Sequence, residues 1–287
     1  MGDAPLDLDA LKAWVGRSET LHDEITAAPL RALSATLDRD DAAVLRGTNV
    51  PPLAHWLYFL PAARASDIAP DGHARRGGFL PPVPLPRRMW AGGRIDWNGA
   101  NPLRVGDAVT RTSRIESVDH KRGRSGDLVF VTVRHEIRNG AGVALTEEHD
   151  IVYRPPAKRG EAAPASPLAP PKATWQREIT PDDVLLFRYS ALTFNGHRIH
   201  YDRRYAAQVE GYPGLVVHGP LIATLLLDLV RRHAPRARVE RFEFKALRPV
   251  FDGHPMRVCG RPEGTAVELW AQDTQGALAM QARAELA

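Results

Sequence analysis

Residues 214–230 read GLVVHGPLIATLLLDLV, and the fold can be worked outward from them. The apolar run is long, but His218, Thr224 and Asp228 interrupt it. The segment therefore reads as a buried helix of a soluble core rather than a membrane span. Gly219 and Pro220 open the helix, expected over Gly219–Arg232; proline suits a first turn because the N–H it lacks would find no partner there. Four strand-like runs follow: Val239–Leu247, Pro255–Gly260, Ala266–Gln272 and Ala277–Glu285. One long apolar helix followed by antiparallel strands is an α+β pattern in which a sheet wraps the helix, the hot-dog arrangement.

Upstream, Pro181–Leu192 reads as a short helix with Thr180 as N-cap and Pro181 at its first position. Residues 155–172, PPAKRGEAAPASPLAPPK, lose all apolar periodicity and read as an extended linker. Before it lie strand-like runs at Ala91–Trp97, Ala108–Val118, Leu128–Arg138 and Val143–Tyr153, the last two joined by the hairpin signal Asn139-Gly140. Leu53–Leu60 (LAHWLYFL) stands where a helix would precede those strands. The proline-rich insertion Gly77–Arg88, GGFLPPVPLPRR, excludes regular structure between the two. With 287 residues the chain suits two units: an N-terminal hot dog over 1–154, the linker over 155–172 and a C-terminal hot dog over 173–287. No sequence repeat supports the duplication; it rests on element order, and the expected fold is a tandem double hot dog.

Charged residues at 25% and apolar residues at 44% are ordinary globular values. A net charge of +4 comes from arginines spread along the chain, and no RNP-like, helix-turn-helix or zinc-finger pattern accompanies it. Nucleic acid and membrane are therefore not expected partners; a phosphate-bearing small molecule fits better. The single Cys259 excludes an internal disulfide framework, and MGDAPLDLDALKAW shows no targeting signal, so a reducing cytoplasm is expected.

The chemistry concentrates in Ser190–Asp202, SALTFNGHRIHYD, which places Asn195, His197, His200 and Asp202 within eight positions. His200 can take and return a proton at neutral pH. A lone histidine at a turn boundary is more often a structural one, but this one has company. Gly219, first in its helix, can offer an N–H to a developing oxyanion, or can simply allow close packing. His197-x-x-His200 with Asp202 is a poor metal set, since a further ligand is missing. Asp202 reads as the cap of a helix starting near Arg203. His218 reads as a packing or hydrogen-bonding residue beside the substrate.

Asn195–Asp202, NGHRIHYD, together with His218-Gly219, resembles the MaoC-type hydratase 2 motif, Asp-x-x-x-x-His followed by a glycine-led helix. With GGFLPPVPLPRRMWAGG and RYSALTFNGHRIHYD, nearly the whole chain resembles the double hot-dog hydratases acting on mesaconyl-C4-CoA and itaconyl-CoA, and the mitochondrial 3-hydroxyacyl-thioester dehydratases. The resemblance implies that the motif residues activate water while the helix glycine N–H binds the thioester oxygen. Asparagine cannot act as a base, so Asn195 is left to orient water or a substrate carbonyl and His200 is the sole strong base of the pair.

The implied reaction is reversible hydration of an α,β-unsaturated acyl-CoA, a branched five-carbon dicarboxylic one, without organic cofactor or metal. Arg198, Arg203, Arg204, Lys245 and Arg248 are candidates for the coenzyme phosphates, and Arg87 and Arg88 for a substrate carboxylate; solvated surface is the plain alternative for each. Two rival functions stand beside this one: a 3-hydroxyacyl-thioester dehydratase of fatty-acid metabolism, and a non-catalytic acyl-thioester binding protein. The fold implies a monomer or a homodimer.

Overall fold

The structure, a computed structural model, describes residues 6–123, 126–155 and 167–287. In chain order its regular elements are α1 (Leu8–Lys12), β1 (Ser18–Glu24), α2 (Ala27–Thr36), β2 (Arg87–Trp97), β3 (Ala108–Gly123), β4 (Gly126–Asn139) and β5 (Gly142–Arg154). After the expected linker come β6 (Trp175–Ile179), α3 (Asp183–Leu192), α4 (Arg203–Gln208), α5 (Gly219–His233), β7 (Val239–Ala246), β8 (Met256–Glu263), β9 (Ala266–Asp273) and β10 (Leu278–Leu286). Residues 156–166 of that linker lie outside the described residues. Its end is pinned, with Leu168 bridging Ala277.

All ten strands form one antiparallel sheet in the order β1-β3-β4-β5-β2-β7-β10-β9-β8-β6. Read outward from the middle, each half repeats one plan: β2-β5-β4-β3-β1 on one side, β7-β10-β9-β8-β6 on the other. The duplication inferred from element order is thus present in the topology. Alternation explains the strands. Val129, Val131, Val133, His135 and Ile137 of β4 point inward while Arg134, Glu136 and Arg138 are more exposed. Asn139 ends β4, and its Oδ1 accepts from the Ala141 N–H, closing the tight hairpin to Gly142.

In the C-terminal half α5 packs against β8, β9 and β10 and is buried from Leu221 to Val230. Arg231, Arg232 and His233 in its last turn complement the negative end of the helix dipole. Among the described residues, the N-terminal half has no such helix. Instead of a helix over Leu53–Leu60, only a 3₁₀ turn forms at Ala54–Leu57, between left-handed Leu53 and Phe59. Prolines 51, 52 and 61 confine the segment, and its polar side chains bond to the sheet: His55 Nε2 and Trp56 Nε1 donate to the buried Glu147 at 3.0 and 2.8 Å.

Other sequence expectations need correction. The cap of α3 is Asp182, whose Oδ1 accepts from the Leu185 N–H at 2.7 Å, so neither Thr180 nor Pro181 begins the helix. Arg87 and Arg88 already belong to β2, at the end of the proline-rich insertion. That insertion is held by Arg76, whose guanidinium donates to the carbonyls of Val83, Leu85 and Pro86. Among the described residues no helix is long and apolar enough to cross a membrane.

One buried carboxylate ties the halves together. Asp228 on α5 is 2% exposed and accepts from Arg39 after α2 (2.7 Å), Arg177 on β6 (2.9 Å) and Arg232 one turn on (2.7 Å). Removing its charge would leave clustered guanidinium groups uncompensated, a loss of about 3–5 kcal/mol for a broken buried pair. Asp228→Asn is therefore expected to lower the melting temperature by on the order of 10 °C in a thermal unfolding scan; an unchanged midpoint would refute this role.

Candidate active site

The site is assembled by the turn between α3 and α4 and the approach to α5. Left-handed Phe194 (φ 49°) reverses the chain after α3, and the Asn195 N–H donates to the Ser190 carbonyl at 2.8 Å. Asn195 Oδ1 accepts from the His197 N–H at 3.0 Å, an Asx turn that fixes the amide. A 3₁₀ turn over Arg198–His200 follows, and Asp202 caps α4 by accepting from the Tyr205 N–H at 2.9 Å. The capping role read from the sequence is the one observed.

His200 is 8% exposed, and its Nδ1 lies 2.7 Å from the Val216 carbonyl oxygen. A carbonyl only accepts, so Nδ1 carries the proton and Nε2 keeps a free lone pair. Burial pushes the imidazole down to about 4; the Val216 bond opposes this and the His73 charge adds to it. The ring is thus a neutral acceptor at physiological pH, as a general base requires.

His218 is stacked on it, with ring centroids 3.7 Å apart and planes at 18°. His218 is 1% exposed, shares a 2.8 Å hydrogen bond with the Ser190 hydroxyl and leaves Nδ1 without a partner. It sits at the N-cap of α5, immediately before Gly219. A Cβ placed on Gly219 would meet nothing within 4 Å, so open space lies over the helix N-terminus. Pro220 has no N–H, and among the described residues the Gly219 N–H has no backbone acceptor. It is therefore free to bond an oxyanion where the helix dipole favours negative charge.

The N-terminal half supplies residues that sequence reading missed. Arg198 N–H donates to the Asp71 carbonyl at 2.9 Å, and Arg198 Nη1 to the Pro70 carbonyl at 3.0 Å. Gly72 lies so close to Gly196 that a Cβ on it would stand 1.8 Å from the Gly196 carbonyl oxygen. This contact sets the His73 ring against His197 at 4.0 Å, and His197 meets His200 edge-on at 5.4 Å. Burial holds His197 well below its ordinary value, helped by His73 and His200. Burial opposes the charge on Asp71, but hydrogen bonds and charge from His73 outweigh it and hold the carboxyl low. The triplet Asp71-Gly72-His73 carries no local signal of a partner more than a hundred residues away in the chain.

The candidate arginines are placed differently from one another. Arg198 pairs with Asp202 (2.7 Å) and lies over Tyr205, Arg203 pairs with Asp252 and Asp183, and Arg248 pairs with Asp273 at 3.1 Å. Arg204 donates to Gln208, and Arg87 donates to the Glu210 carbonyl across the Tyr212 ring. Arg88 differs: its charge reaches the His197 ring and the Tyr153 hydroxyl, and among the described residues no carboxylate pairs with it. Lys245 lines a separate cavity of about 860 Å³ over the β2–β7 seam, which contains none of Asn195, His200 or Gly219.

The fold thus sets a buried neutral imidazole beside the open N-terminus of a hot-dog helix, a geometry compatible with a hydro-lyase of the double hot-dog class. Residues 53–252 match the family model of hydroxyacyl-thioester dehydratase type 2. The chain is 48% identical to the mesaconyl-C(4)-CoA hydratase of Chloroflexus aurantiacus, over 96% of this chain and 97% of that one. Among solved structures, a MaoC-like dehydratase of Phytophthora capsici superposes with a TM-score of 0.69 at 14% identity, covering 98% of this chain and 99% of that one. A Mycobacterium tuberculosis protein described as a double hot dog gives a TM-score of 0.57 at 14% identity over 99% of both chains. The chain belongs to the hydroxyacyl-thioester dehydratase type 2 family.

Because His200 is neutral down to about 4, kcat/KM is expected to hold as pH falls through 6.5 and to decline only toward about 4. Half-loss near 6.5 would contradict the buried-base geometry. The sign for stability follows from the lowered folded value: on acidification the unfolded chain takes up the proton first. The contribution of His200 to stability is thus complete above 6.5 and lost progressively between 6.5 and about 4 in acid-unfolding measurements.

Proposed function

We propose that this protein reversibly hydrates a branched five-carbon dicarboxylic enoyl-CoA, itaconyl-CoA or mesaconyl-C4-CoA, to citramalyl-CoA. The carrying observation is the pairing of His200, whose free Nε2 is a ready base, with the open Gly219 N–H at the start of α5. In this mechanism the thioester carbonyl accepts from Gly219 N–H, which draws electron density from the double bond. Asn195 orients a water molecule. As the water oxygen bonds to the β-carbon, its proton passes to His200 Nε2, and His200 then returns a proton to the α-carbon of the enolate so formed. The substrate's own thioester acidifies that carbon, so the chemistry calls for neither an organic cofactor nor a metal.

The named activity of the Chloroflexus relative and the position of Arg88, whose charge acts on His197, both favour a dicarboxylic ester. A guanidinium can hold a carboxylate by two parallel hydrogen bonds, and Arg88 is the candidate arginine near the histidines that no carboxylate engages among the described residues. The family's own name supports a second reading, dehydration of 3-hydroxyacyl thioesters of fatty-acid metabolism. The chemistry is the same in reverse; the acyl chain differs. In either reading the enzyme works in a reducing cytoplasm, as a monomer or a homodimer.

Incubation with itaconyl-, mesaconyl-C4-, crotonyl- and long-chain enoyl-CoA, following loss of the conjugated thioester absorbance, tests the substrate. Turnover is expected with the dicarboxylic esters, and activity confined to long chains would overturn the choice. Arg88→Ala should raise KM for mesaconyl-C4-CoA by roughly tenfold or more, the worth of a charged hydrogen bond, and leave crotonyl-CoA nearly unchanged. Equal effects on both would remove Arg88 from the substrate site.

A further inference from the structure

Asn195 leaves the hydratase motif without its carboxylate, yet hydration moves two protons: one off water and one onto carbon. The structure brings a second imidazole, this one supported by a carboxylate, next to the His197–His200 pair from the other half of the molecule. The segment from Ile68 to Ala74 is a tight turn closed by a β-bridge between those residues and by the Ala69 and Gly72 N–H bonds to the carbonyls of His73 and Ala69. Within it, Asp71 accepts from the His73 N–H at 3.0 Å and from His73 Nδ1 at 3.2 Å. Nδ1 bound to a carboxylate carries hydrogen, so Nε2 is the atom left to exchange a proton. This pair is locked against the catalytic turn by the Gly72–Gly196 contact and by both bonds from Arg198.

The His73 side chain is partly exposed, and its ring packs on His197, which in turn packs on His200. Neither Asp71 nor His73 contributes to the hydrophobic core, and the turn could be closed by its backbone bonds alone. An aspartate that orients one imidazole nitrogen and frees the other is the arrangement of an acid–base dyad.

We propose that His73, oriented by Asp71, is a further catalytic residue of this site, delivering the proton that enters at the α-carbon. This rests on the hydration reading above and replaces the return of that proton by His200. In the hydration direction the water oxygen bonds to the β-carbon, and one water proton passes to His200 Nε2. The double-bond electron pair shifts toward the thioester oxygen at Gly219. The enolate then collapses with formation of a C–H bond at the α-carbon, using the proton on Nε2 of a His73 imidazolium whose charge Asp71 balances. His73 is left neutral, still bonded through Nδ1. Solvent removes the proton from His200 and restores the one on His73, so the net change is the addition of one water.

Steady-state rates with a turned-over enoyl-CoA decide the matter. His73→Ala is expected to lower kcat by about a hundredfold or more with KM little changed, the size of a lost acid–base group. His73→Gln retains a donor for Asp71 but cannot transfer a proton, so it should be equally slow; Asp71→Asn should fall between these variants and wild type. Wild-type kcat in His73→Ala, or recovery in His73→Gln, would overturn the proposal by reducing His73 to a spacer. Stoichiometric metal in purified wild type, with activity lost on chelation, would also overturn it, because Asp71, His73 and His197 would then act as ligands. Wild-type protein inert on every ester would instead refute the hydration reading itself.

Discussion

The antiparallel pairing of β2 with β7, Gly92–Asp96 against Lys245–Arg241, is the interaction on which the rest of the molecule depends. It joins two five-stranded sheets into one and fixes how the N-terminal half overhangs the C-terminal helix. The seam tolerates little there. A Cβ on Gly92 would stand 2.5 Å from the Phe244 carbonyl oxygen, and one on Gly93 3.0 Å from the Phe244 ring. These glycines let the backbones close where side chains would hold them apart. Once the seam is fixed, Arg88 at the start of β2 and the turn carrying Asp71 and His73 face the segment around His200.

The halves share a topology but differ in their filling. The C-terminal half fills its concave face with α5, an apolar helix with open space over its N-terminus. The N-terminal half replaces that helix with a 3₁₀ turn and a buried polar cluster, in which Glu147 accepts from His55, Trp56 and His149. Burial opposes its charge, but the two histidines hold the carboxyl well below its ordinary value. Duplication thus preserved a sheet while the two copies took up different work. One carries the turn with Asn195 and His200; the other lays the Asp71–His73 turn against it.

Much of this was legible in the chain. Alternation in β2–β5 and β7–β10, the proline-opened α5 and the Asn139-Gly140 hairpin are local signals, and each element formed close to its expected span. Among the described residues, α1, α2, β1 and β6 went unread, and for the two strands the cause is tertiary. β1, SETLHDE, is an exposed strand with no apolar alternation, and β6, WQREI, is too short to show any. The LAHWLYFL segment looked helical because apolarity alone cannot tell a helix from a buried turn bracketed by proline. At the site, His200, Asn195 and Gly219 stood out through their spacing. The arginines did not sort themselves in the sequence, because whether a guanidinium is free depends on carboxylates such as Asp252 and Asp273 that the fold alone supplies. Asp71 and His73 were invisible for the same reason.

The central claim is that a buried, neutral His200 is the base that activates water beside an α5-bound thioester. Its most direct measurement compares wild type with His200→Ala for loss of the conjugated thioester absorbance, alongside binding of the same coenzyme ester by calorimetry. The account predicts a fall in kcat of about a thousandfold, within the range for a lost general base, with binding preserved. An unaltered rate in the variant would contradict it.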